Sequence, residues 1–301
     1  FMKDKRLFWI DNDKKFMRQG DWSRPITDPS FFLKEKLEWM EKYNIDHGVL
    51  LNLSQMYCTG WKRQDAKDAI QWQNDFNASV QEGNPDKFTS GFVVQPLYMD
   101  DALAEIERCI NEYDDLDFLV LLGDILDNHE KTYIQPFNLV NKLFEICMNK
   151  IKTYVLIGNH DLTNNNEYLS ENHFFNSYKL LNNENLIIVD KTLTEVISGE
   201  QFTFVPYVPP GRFLDALDSE DTDLDWPDST AIFAHQEFYG CDLGIIKSEV
   251  GDKWDIDDPL VITGHIHNYH KLQKNIIYSG TPYQHNFGEK NNKVILLFDN
   301  N

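Results

Sequence analysis

Leu156-Ile157-Gly158-Asn159-His160-Asp161 marks the end of a predicted buried strand in three consecutive polar groups, and the rest of the chain is best interpreted from this point. The apolar run over residues 153–157 predicts the strand, and Gly158 ends it. An amide, an imidazole and a carboxylate follow at once. At the carboxyl end of a strand in an open α/β sheet, such groups face the crevice where ligands bind.

Three further predicted strands also end in side chains that bind metal ions. They are residues 118–122, followed by Gly123-Asp124-Ile125-Leu126-Asp127; Ala231–Ala234, followed by His235; and Leu260–Thr263, followed by Gly264-His265-Ile266-His267. An amphipathic helix predicted over residues 136–150 completes a βαβ unit, which brings Asp124 and Asn159 to one sheet edge. Imidazole nitrogens with carboxylate and amide oxygens favour a transition metal such as Mn, Fe or Zn.

Length and composition indicate a folded protein of one large domain or two ordinary ones. The chain has 301 residues, of which 42% are hydrophobic, and this is enough for a core. We expect a cytoplasmic protein, because no apolar run approaches the roughly 20 residues of a membrane span and the start lacks a signal peptide. The net charge of -21 argues against coating nucleic acid by charge, but not against a nuclease whose metals supply positive charge.

The first third alternates predicted helices and strands. Helices are predicted from Asp28-Pro29, over 65–81 and from Asp100, with strands over 49–53 and 88–94 between them. This part resembles a segment of the amidohydrolase-related (β/α)-barrel hydrolases, on the following residues: Asn74-Asp75-Phe76, Pro85-Asp86-Lys87-Phe88, Gly91-Phe92, Pro96 and 100–108. That family's metal site needs a His-x-His pair, whereas this segment has only His47, so the resemblance implies a piece of a barrel without its chemistry.

The strand-end motifs, from about residue 117 to the end, resemble the calcineurin-like metallophosphoesterases. Their order and spacing are closest to the SbcD-type nucleases of DNA repair, and the resemblance includes Tyr278-Ser279-Gly280-Thr281-Pro282 and Phe287-Gly288-Glu289. It implies an α/β fold, a four-layer αββα metallophosphoesterase sandwich. We therefore predict two domains: a β/α segment over residues 1–112, whose integration the sequence leaves open, and the phosphoesterase domain over residues 113–301.

The resemblance also implies roles for individual residues. Asp124 would bridge two divalent metal ions, manganese being the leading candidate, and the remaining ligands would be Asn159, His235 and His265 on one metal and His267 on the other. His160 would contact the phosphate and assist the leaving group, and Asp127 would orient the His160 ring. For the other histidines we expect surface positions, with His270 a candidate neighbour of the substrate; they are His129, His173, His270 and His285.

One motif of the family is missing. The family opens with Asp-x-His after its first strand, and the nearest equivalent here is Asp11-Asn12-Asp13, in which Asp11 and Asp13 would complete the second metal position. The alternative, which we favour, is that these two acids form a turn of the barrel-like segment. In that case Asp124 and His267 alone would hold the second metal, and weakly.

These features predict a metal-dependent phosphodiesterase, a DNA exonuclease or endonuclease, in which two metals activate water for attack on phosphorus. The predicted partner is DNA or another phosphodiester, with no membrane. The resemblance also implies an ATPase partner, but we expect the C-terminal capping region to be absent or short, because the chain ends soon after a predicted strand over 293–298. Two alternatives stay open: an amidohydrolase-type barrel hydrolase or decarboxylase, and a catalytically incomplete fusion of two family fragments.

Overall fold

The computed structural model describes residues 9–10, 16–19, 22–26, 32–46, 48–50, 58, 61–90, 92–94, 98–112, 116–220, 222–244 and 246–281. It divides the chain into two compact units, Phe1–Glu105 and Ile106–Asn301. The assignment of domains to residues 1–112 and 113–301 stays a prediction. Within the described ranges, no helix combines the length and the apolarity needed to cross a membrane.

The first unit alternates helices with short strands. Its elements are β1 (Trp9–Ile10), β2 (Phe16–Gln19), β3 (Trp22–Pro25), α1 (Leu33–Lys42), β4 (Gly48–Leu50), α2 (Arg63–Gly83), β5 (Phe88–Ser90) and α3 (Met99–Glu112), which continues into the second unit. Strands β1, β2 and β3 form an antiparallel sheet, whereas β4 and β5 pair in parallel. Parallel strands need a long crossover connection, and α2 supplies it.

Asn74 holds α2 against the segment that follows β5. Its buried side chain donates to the Val93 carbonyl (2.9 Å) and to Glu105 Oε1 (2.6 Å), and it accepts the Val93 N–H (2.8 Å). These bonds satisfy a polar group that would otherwise be costly to bury. One of the residues that suggested the barrel resemblance thus has a structural role, and the resemblance itself stays a prediction.

The second unit is built on two sheets. Its elements are β6 (Leu119–Leu121), α4 (Ile134–Lys150), β7 (Thr153–Leu156), a 3-10 helix (Asn176–Leu181), β8 (Leu186–Val189), β9 (Leu193–Ile197), β10 (Glu200–Val205), α5 (Phe213–Leu217), a 3-10 helix (Trp226–Asp228), β11 (Ala231–Ala234), β12 (Asp242–Leu243), β13 (Ile246–Lys247), β14 (Leu260–Thr263), β15 (His270–Gln273) and β16 (Ile276–Tyr278).

The strands pair in the orders β6-β7-β8 and β15-β16-β14-β11-β10-β9, with β12 and β13 as a separate hairpin. The first sheet is parallel, and the second adds the antiparallel strands β9 and β15 at its two edges. The sequence did not predict β9, β15 or the hairpin, because edge strands mix polar and apolar residues and show a weaker pattern. The strand predicted over 293–298 lies outside the described residues.

The two sheets pack face to face through aromatic side chains. The rings of Tyr154 in β7 and Phe204 in β10 stack with centroids 3.9 Å apart, and the Phe118 ring contacts both rings edge-on. Tyr154 and Leu156 in β7 belong to the hydrophobic cluster between the two sheets. Val155 in β7 and Ile157 just after it belong to the cluster beneath α4. Because both faces are covered, β7 is buried throughout, as its continuous apolar run predicts.

Helix α4 covers the other face of the first sheet. Its buried residues Val140, Phe144 and Cys147 repeat at helical spacing and confirm the predicted amphipathic face. On the far face of the second sheet, residues of α5 pack with Trp254 in another cluster. The second unit is therefore a mixed α/β structure, and the full four-layer αββα arrangement stays a prediction.

Candidate metal centre

Strand register brings the polar residues together. Leu121 in β6 lies opposite Val155 in β7, so Asp124, three residues beyond, emerges opposite the glycine that precedes Asn159. Likewise Ala234 in β11 lies opposite Thr263 in β14, so that the residues after them, His235 and Gly264, are neighbours, with His265 next. Within each sheet the two strands are parallel, so that their carboxyl ends lie at the same edge of that sheet. Contacts between the loops bring the two edges together.

Two loops at this edge touch through their backbones: the acid loop (residues 123–130) and the histidine loop (residues 158–163). Gly123 and Asp124 both have positive φ, +88° and +53°, which turns the acid loop sharply at the end of its strand. A Cβ atom on Gly158 would lie 2.2 Å from the Asp124 nitrogen. Only glycine therefore fits at position 158, and its small size allows the two loops to meet.

Four side chains converge between these loops and the ends of β11 and β14. Asn159 Oδ1 lies 3.2 Å from His235 Nε2 and 2.9 Å from His265 Nδ1, and Asp124 Oδ2 lies 3.2 Å from His235 Nε2. Ligand atoms of Asp124, His235 and His265 all lie within 4.8 Å of one another. Two imidazoles, one amide and one carboxylate thus face a common point.

The hydrogen bonds around these groups indicate that a cation belongs at this point. His235 Nδ1 faces the Leu122 carbonyl at 2.5 Å, so this nitrogen must be the donor, and in the neutral ring the Nε2 lone pair points at two oxygens. Asn159 donates its NH₂ to Asn165, which directs its oxygen toward the histidines. Lone pairs facing one another are unfavourable without a proton or a metal ion between them. The donor set fits a transition metal.

Electrostatics agree with this interpretation. Burial raises the pKa of Asp124, but the His235 charge and hydrogen bonds from His235 and the His160 N–H outweigh it, so the carboxyl pKa is lowered. Burial lowers the pKa of His235, but the Asp124 charge outweighs it and the pKa is raised. Both shifts have one cause: the Asp124 carboxylate favours a positive charge next to His235 Nε2, which is a proton in the metal-free site and would be replaced by a bound metal ion.

Glu237 is a residue that sequence reasoning missed. Its Oε2 lies 3.9 Å from His265 Nε2, and its Oε1 accepts the Ser248 hydroxyl. At 3.9 Å the approach to His265 is a charge contact rather than a hydrogen bond. It lies on the side of the His265 ring away from Nδ1, where a carboxylate commonly stands behind a metal-bound histidine. The spacing His235-Gln236-Glu237 was the available signal, because alternate residues beyond a strand can extend on the same side.

Asp161, the last residue of the quoted stretch, joins the two loops. Its Oδ1 accepts the Leu126 N–H (3.1 Å), while its Oδ2 accepts the N–H groups of Gly158 (2.9 Å) and Ile125 (3.4 Å). Complete burial raises the pKa of Asp161 to about 7, with a further contribution from the Asp124 charge, partly offset by the backbone hydrogen bonds. Asp161 thus fixes the spacing of Asp124 and Asn159 without facing the metal position.

His160 lies beside the centre in an orientation set by two backbone contacts. Its N–H donates to Asp124 Oδ1 (2.8 Å), and its Nδ1 faces the Asp127 carbonyl at 2.7 Å. This corrects one detail: we expected the Asp127 carboxylate to orient the ring, whereas its backbone carbonyl does so. The reason is that the Asp127 side chain is exposed and points to solvent, where it accepts from Asn128 (3.4 Å).

Apart from Asp124, the residues predicted for a second metal are not part of the described cluster. His267 has an exposed side chain, and its carbonyl accepts the Thr281 N–H (3.0 Å), while its ring is not among the converging ligand atoms. Asp11 and Asp13 lie outside the described residues, so their assignment as ligands or as a turn stays open. The described geometry therefore accounts for one metal position, and the second stays a prediction.

The expectation of a surface position is wrong for one of the remaining histidines, His173. The His173 side chain is 0% exposed and bonds Asp190 Oδ2 (3.1 Å), which compensates its burial. The ring of His129 is half-buried and stacks on His160. His270 is partly buried beside Asp242 (3.7 Å), and His285 lies outside the described residues. A single polar residue belongs to no periodic pattern, so these environments could not be predicted from the sequence.

The match to a known family lies mainly in the second unit. Residues 95–297 match the family described as Calcineurin-like phosphoesterase. "Putative phosphoesterase 244L" of Invertebrate iridescent virus 6 is 44% identical over 199 residues, 64% of this chain and 67% of that protein. "Putative phosphoesterase 078R" of Invertebrate iridescent virus 3 is 38% identical over 207 residues, 69% of this chain but only 58% of that protein.

The solved structures add no argument about fold. 2,6-Dihydroxybenzoate decarboxylase from Rhizobium matches with 16% identity over 42% of this chain and 39% of that chain, at a TM-score of 0.29. The family match, by contrast, covers more than half of the chain and includes every described ligand. The predicted resemblance to metallophosphoesterases is confirmed at this level: the chain belongs to the calcineurin-like phosphoesterase family.

Proposed function

We propose that this protein is a metal-dependent phosphodiesterase that cleaves DNA, in the manner of the SbcD-type nucleases. The observation that supports this best is the convergence of Asp124, Asn159, His235 and His265 on one point, with the His160 ring alongside. Membership of the family accounts for hydrolysis of a phosphoester. The choice of a diester, and of DNA, rests on the order and spacing of the motifs.

In the proposed reaction, one group of residues would bind the metal ion, and His160 would transfer a proton. When bound, divalent ions supply positive charge to the phosphoryl oxygens and lower the pKa of water. Asp124, Asn159, His235 and His265 would hold one such ion. The Leu122 carbonyl orients the His235 ring, and the Glu237 carboxylate lies beside the His265 ring. Buried carboxylate, amide and imidazole groups fixed in this way need little rearrangement as the reaction proceeds.

His160 would act on the leaving group. Because its Nδ1 donates to the Asp127 carbonyl, Nε2 is the ring atom available to a substrate. From this position, it would hold a phosphoryl oxygen or give a proton to the departing alcohol as water forms its bond to phosphorus and the P–O bond breaks. Loss of such a group typically costs about 10²–10⁴-fold in rate.

The second metal completes the proposal. Asp124 would bridge to a second ion held by His267, with Asp11 and Asp13 as the further candidates, and manganese suits the mixed nitrogen and oxygen ligands of both positions. If the second ion binds weakly, as the missing opening motif suggests, activity should need more Mn²⁺ than is required to fill the first position. A titration of activity against Mn²⁺ that saturates in two steps would agree with this.

The test is a panel of substrates assayed with Mn²⁺: bis(p-nitrophenyl) phosphate, p-nitrophenyl phosphate, and linear single-stranded and double-stranded DNA. We expect turnover of the diester and of at least one DNA, little turnover of the monoester, and loss in Asp124→Asn. Glu145→Gln on the exposed surface of α4 makes the same change of charge away from the site and should retain activity. Monoester turnover without DNA cleavage would contradict the nuclease assignment.

A further inference from the structure

The acid loop and the histidine loop exchange hydrogen bonds: a backbone carbonyl of each loop faces a histidine ring of the other. His160 of the histidine loop has its Nδ1 2.7 Å from the Asp127 carbonyl, and His129 of the acid loop has its Nδ1 3.0 Å from the Leu162 carbonyl. A carbonyl only accepts, so both Nδ1 atoms are donors. Because Nδ1 is the donor in both rings, Nε2 is the atom of each ring that remains for a substrate.

The two rings are also stacked. Their centroids are 5.1 Å apart and their planes differ by 12°. Offset stacking of this kind is attractive, by about 0.5–1.5 kcal/mol in aromatic pairs. Both rings are only half-buried, so the pair lies at the surface of the site rather than in the core. Among the described residues, neither Nε2 atom has a hydrogen-bond partner, which leaves both accessible to a substrate.

We propose that His129 is a positioning residue of the phosphodiesterase reaction, whose stacked ring fixes the plane of the His160 imidazole. The hydrogen bond at Nδ1 restrains the His160 ring but still leaves it some freedom, because rotation about the Cβ–Cγ bond is intrinsically soft and a hydrogen bond tolerates a range of angles. Contact with a parallel ring removes this freedom and keeps Nε2 aimed in one direction. This inference rests on the proposed function, because it assigns to His129 an effect on the step that His160 performs.

Three variants separate the ring from its hydrogen bond. His129→Phe keeps an aromatic ring and loses the donor to Leu162, His129→Asn keeps a donor near the Nδ1 position and loses the ring, and His129→Leu loses both. Asn128→Ala is the matched control, because Asn128 is exposed in the same loop and its side chain donates a hydrogen bond to the Asp127 side chain, which points to solvent. Thermal unfolding of each variant reports whether the fold survives.

Two substrates with different leaving groups supply the readout. Thymidine 5′-p-nitrophenyl phosphate releases an acidic phenol that needs no proton, whereas the dinucleotide TpT releases an alkoxide that does. We expect His129→Leu and His129→Asn to lower kcat for TpT by about 10–100-fold with KM unchanged, and to lower kcat for the phenyl ester much less. His129→Phe should lose less than His129→Leu, and Asn128→Ala should match the wild type.

The outcomes distinguish this inference from the proposed function. Wild-type protein that hydrolyses neither substrate would overturn the proposed function and the role of His129 with it. An active wild type in which the variants lose equally on both substrates, or lose nothing, would overturn only the role of His129. If His129→Asn does not fold, His129→Phe and His129→Leu still test the inference. Equal kcat for TpT in these two variants would show that the ring does not position His160.

Discussion

At the residue scale, the centre depends on side chains that never reach the metal position. Asp161 accepts N–H groups from both loops, Glu237 lies beside the His265 ring, and the Leu122 carbonyl holds the His235 ring. Such contacts decide which nitrogen or oxygen of a ligand faces the ion. Substitutions at these residues should therefore alter metal binding or stability even though they remove no ligand.

In metal-free protein, the free energy of unfolding of the wild type should fall relative to that of Asp161→Asn as the pH rises from about 4 to about 7, because burial raises the pKa of Asp161 to about 7 and its charged form is costly to bury. Urea unfolding measures the change. Asp257→Asn is the control, since the Asp257 side chain is 88% exposed and its replacement should change the free energy of unfolding by less than about 0.5 kcal/mol. Equal effects of the two substitutions across this pH range would contradict the burial described for Asp161.

Asp190 provides a pH-dependent test away from the metal position. Burial raises the pKa of Asp190, but hydrogen bonds from His173 and Lys179 outweigh it, so the pKa in the folded protein is lowered. The stabilisation is therefore present above the unfolded pKa of about 3.9 and is lost as the pH falls through the lower folded pKa.

The free energy of unfolding of Asp190→Asn should consequently lie below that of the wild type by about 1–3 kcal/mol at pH 7, and the difference should shrink as the pH falls below about 4. Urea unfolding at several pH values between 7 and 3.5 measures it. A difference that stays constant over this range would show that the Asp190 charge does not supply the stabilisation.

At the scale of elements, the site is a product of strand register and loop contact. Strands β6 and β7 place the two loops opposite each other, and β11 and β14 place the two histidine ligands side by side. The loops can touch only because residue 158 lacks a Cβ atom. A change at this residue should therefore move both loops together while the sheets remain.

Gly158→Ala should weaken Mn²⁺ binding by about 10–100-fold, because the new methyl group would lie against the Asp124 backbone and displace its carboxylate. Isothermal titration calorimetry measures the affinity, and circular dichroism checks the fold. Gly83→Ala is the matched control, because a Cβ atom there meets nothing within 4 Å. Unchanged Mn²⁺ affinity in Gly158→Ala would contradict the packing that we describe.

At the scale of the whole molecule, the sequence predicted the parts that depend on local patterns. Buried parallel strands are continuous apolar runs, so the positions of Asp124, Asn159, His235 and His265 at strand ends could be read directly. The stack of His129 on His160, the contact of Glu237 with His265 and the clamp made by Asp161 could not, because they depend on how loops distant in sequence approach one another. The edge strands and the burial of His173 were missed for the same reason.

We propose that Asp124, Asn159, His235 and His265 bind a metal ion, and that His160 acts on the substrate beside this ion without binding it. The most direct measurement is the Mn²⁺ content and the bis(p-nitrophenyl) phosphate turnover of the same preparations of wild type, His235→Ala and His160→Ala. We predict that His235→Ala loses both metal and turnover, whereas His160→Ala retains the metal and loses turnover by about 10²–10⁴-fold. Full turnover in His160→Ala, or full metal content in His235→Ala, would contradict the account.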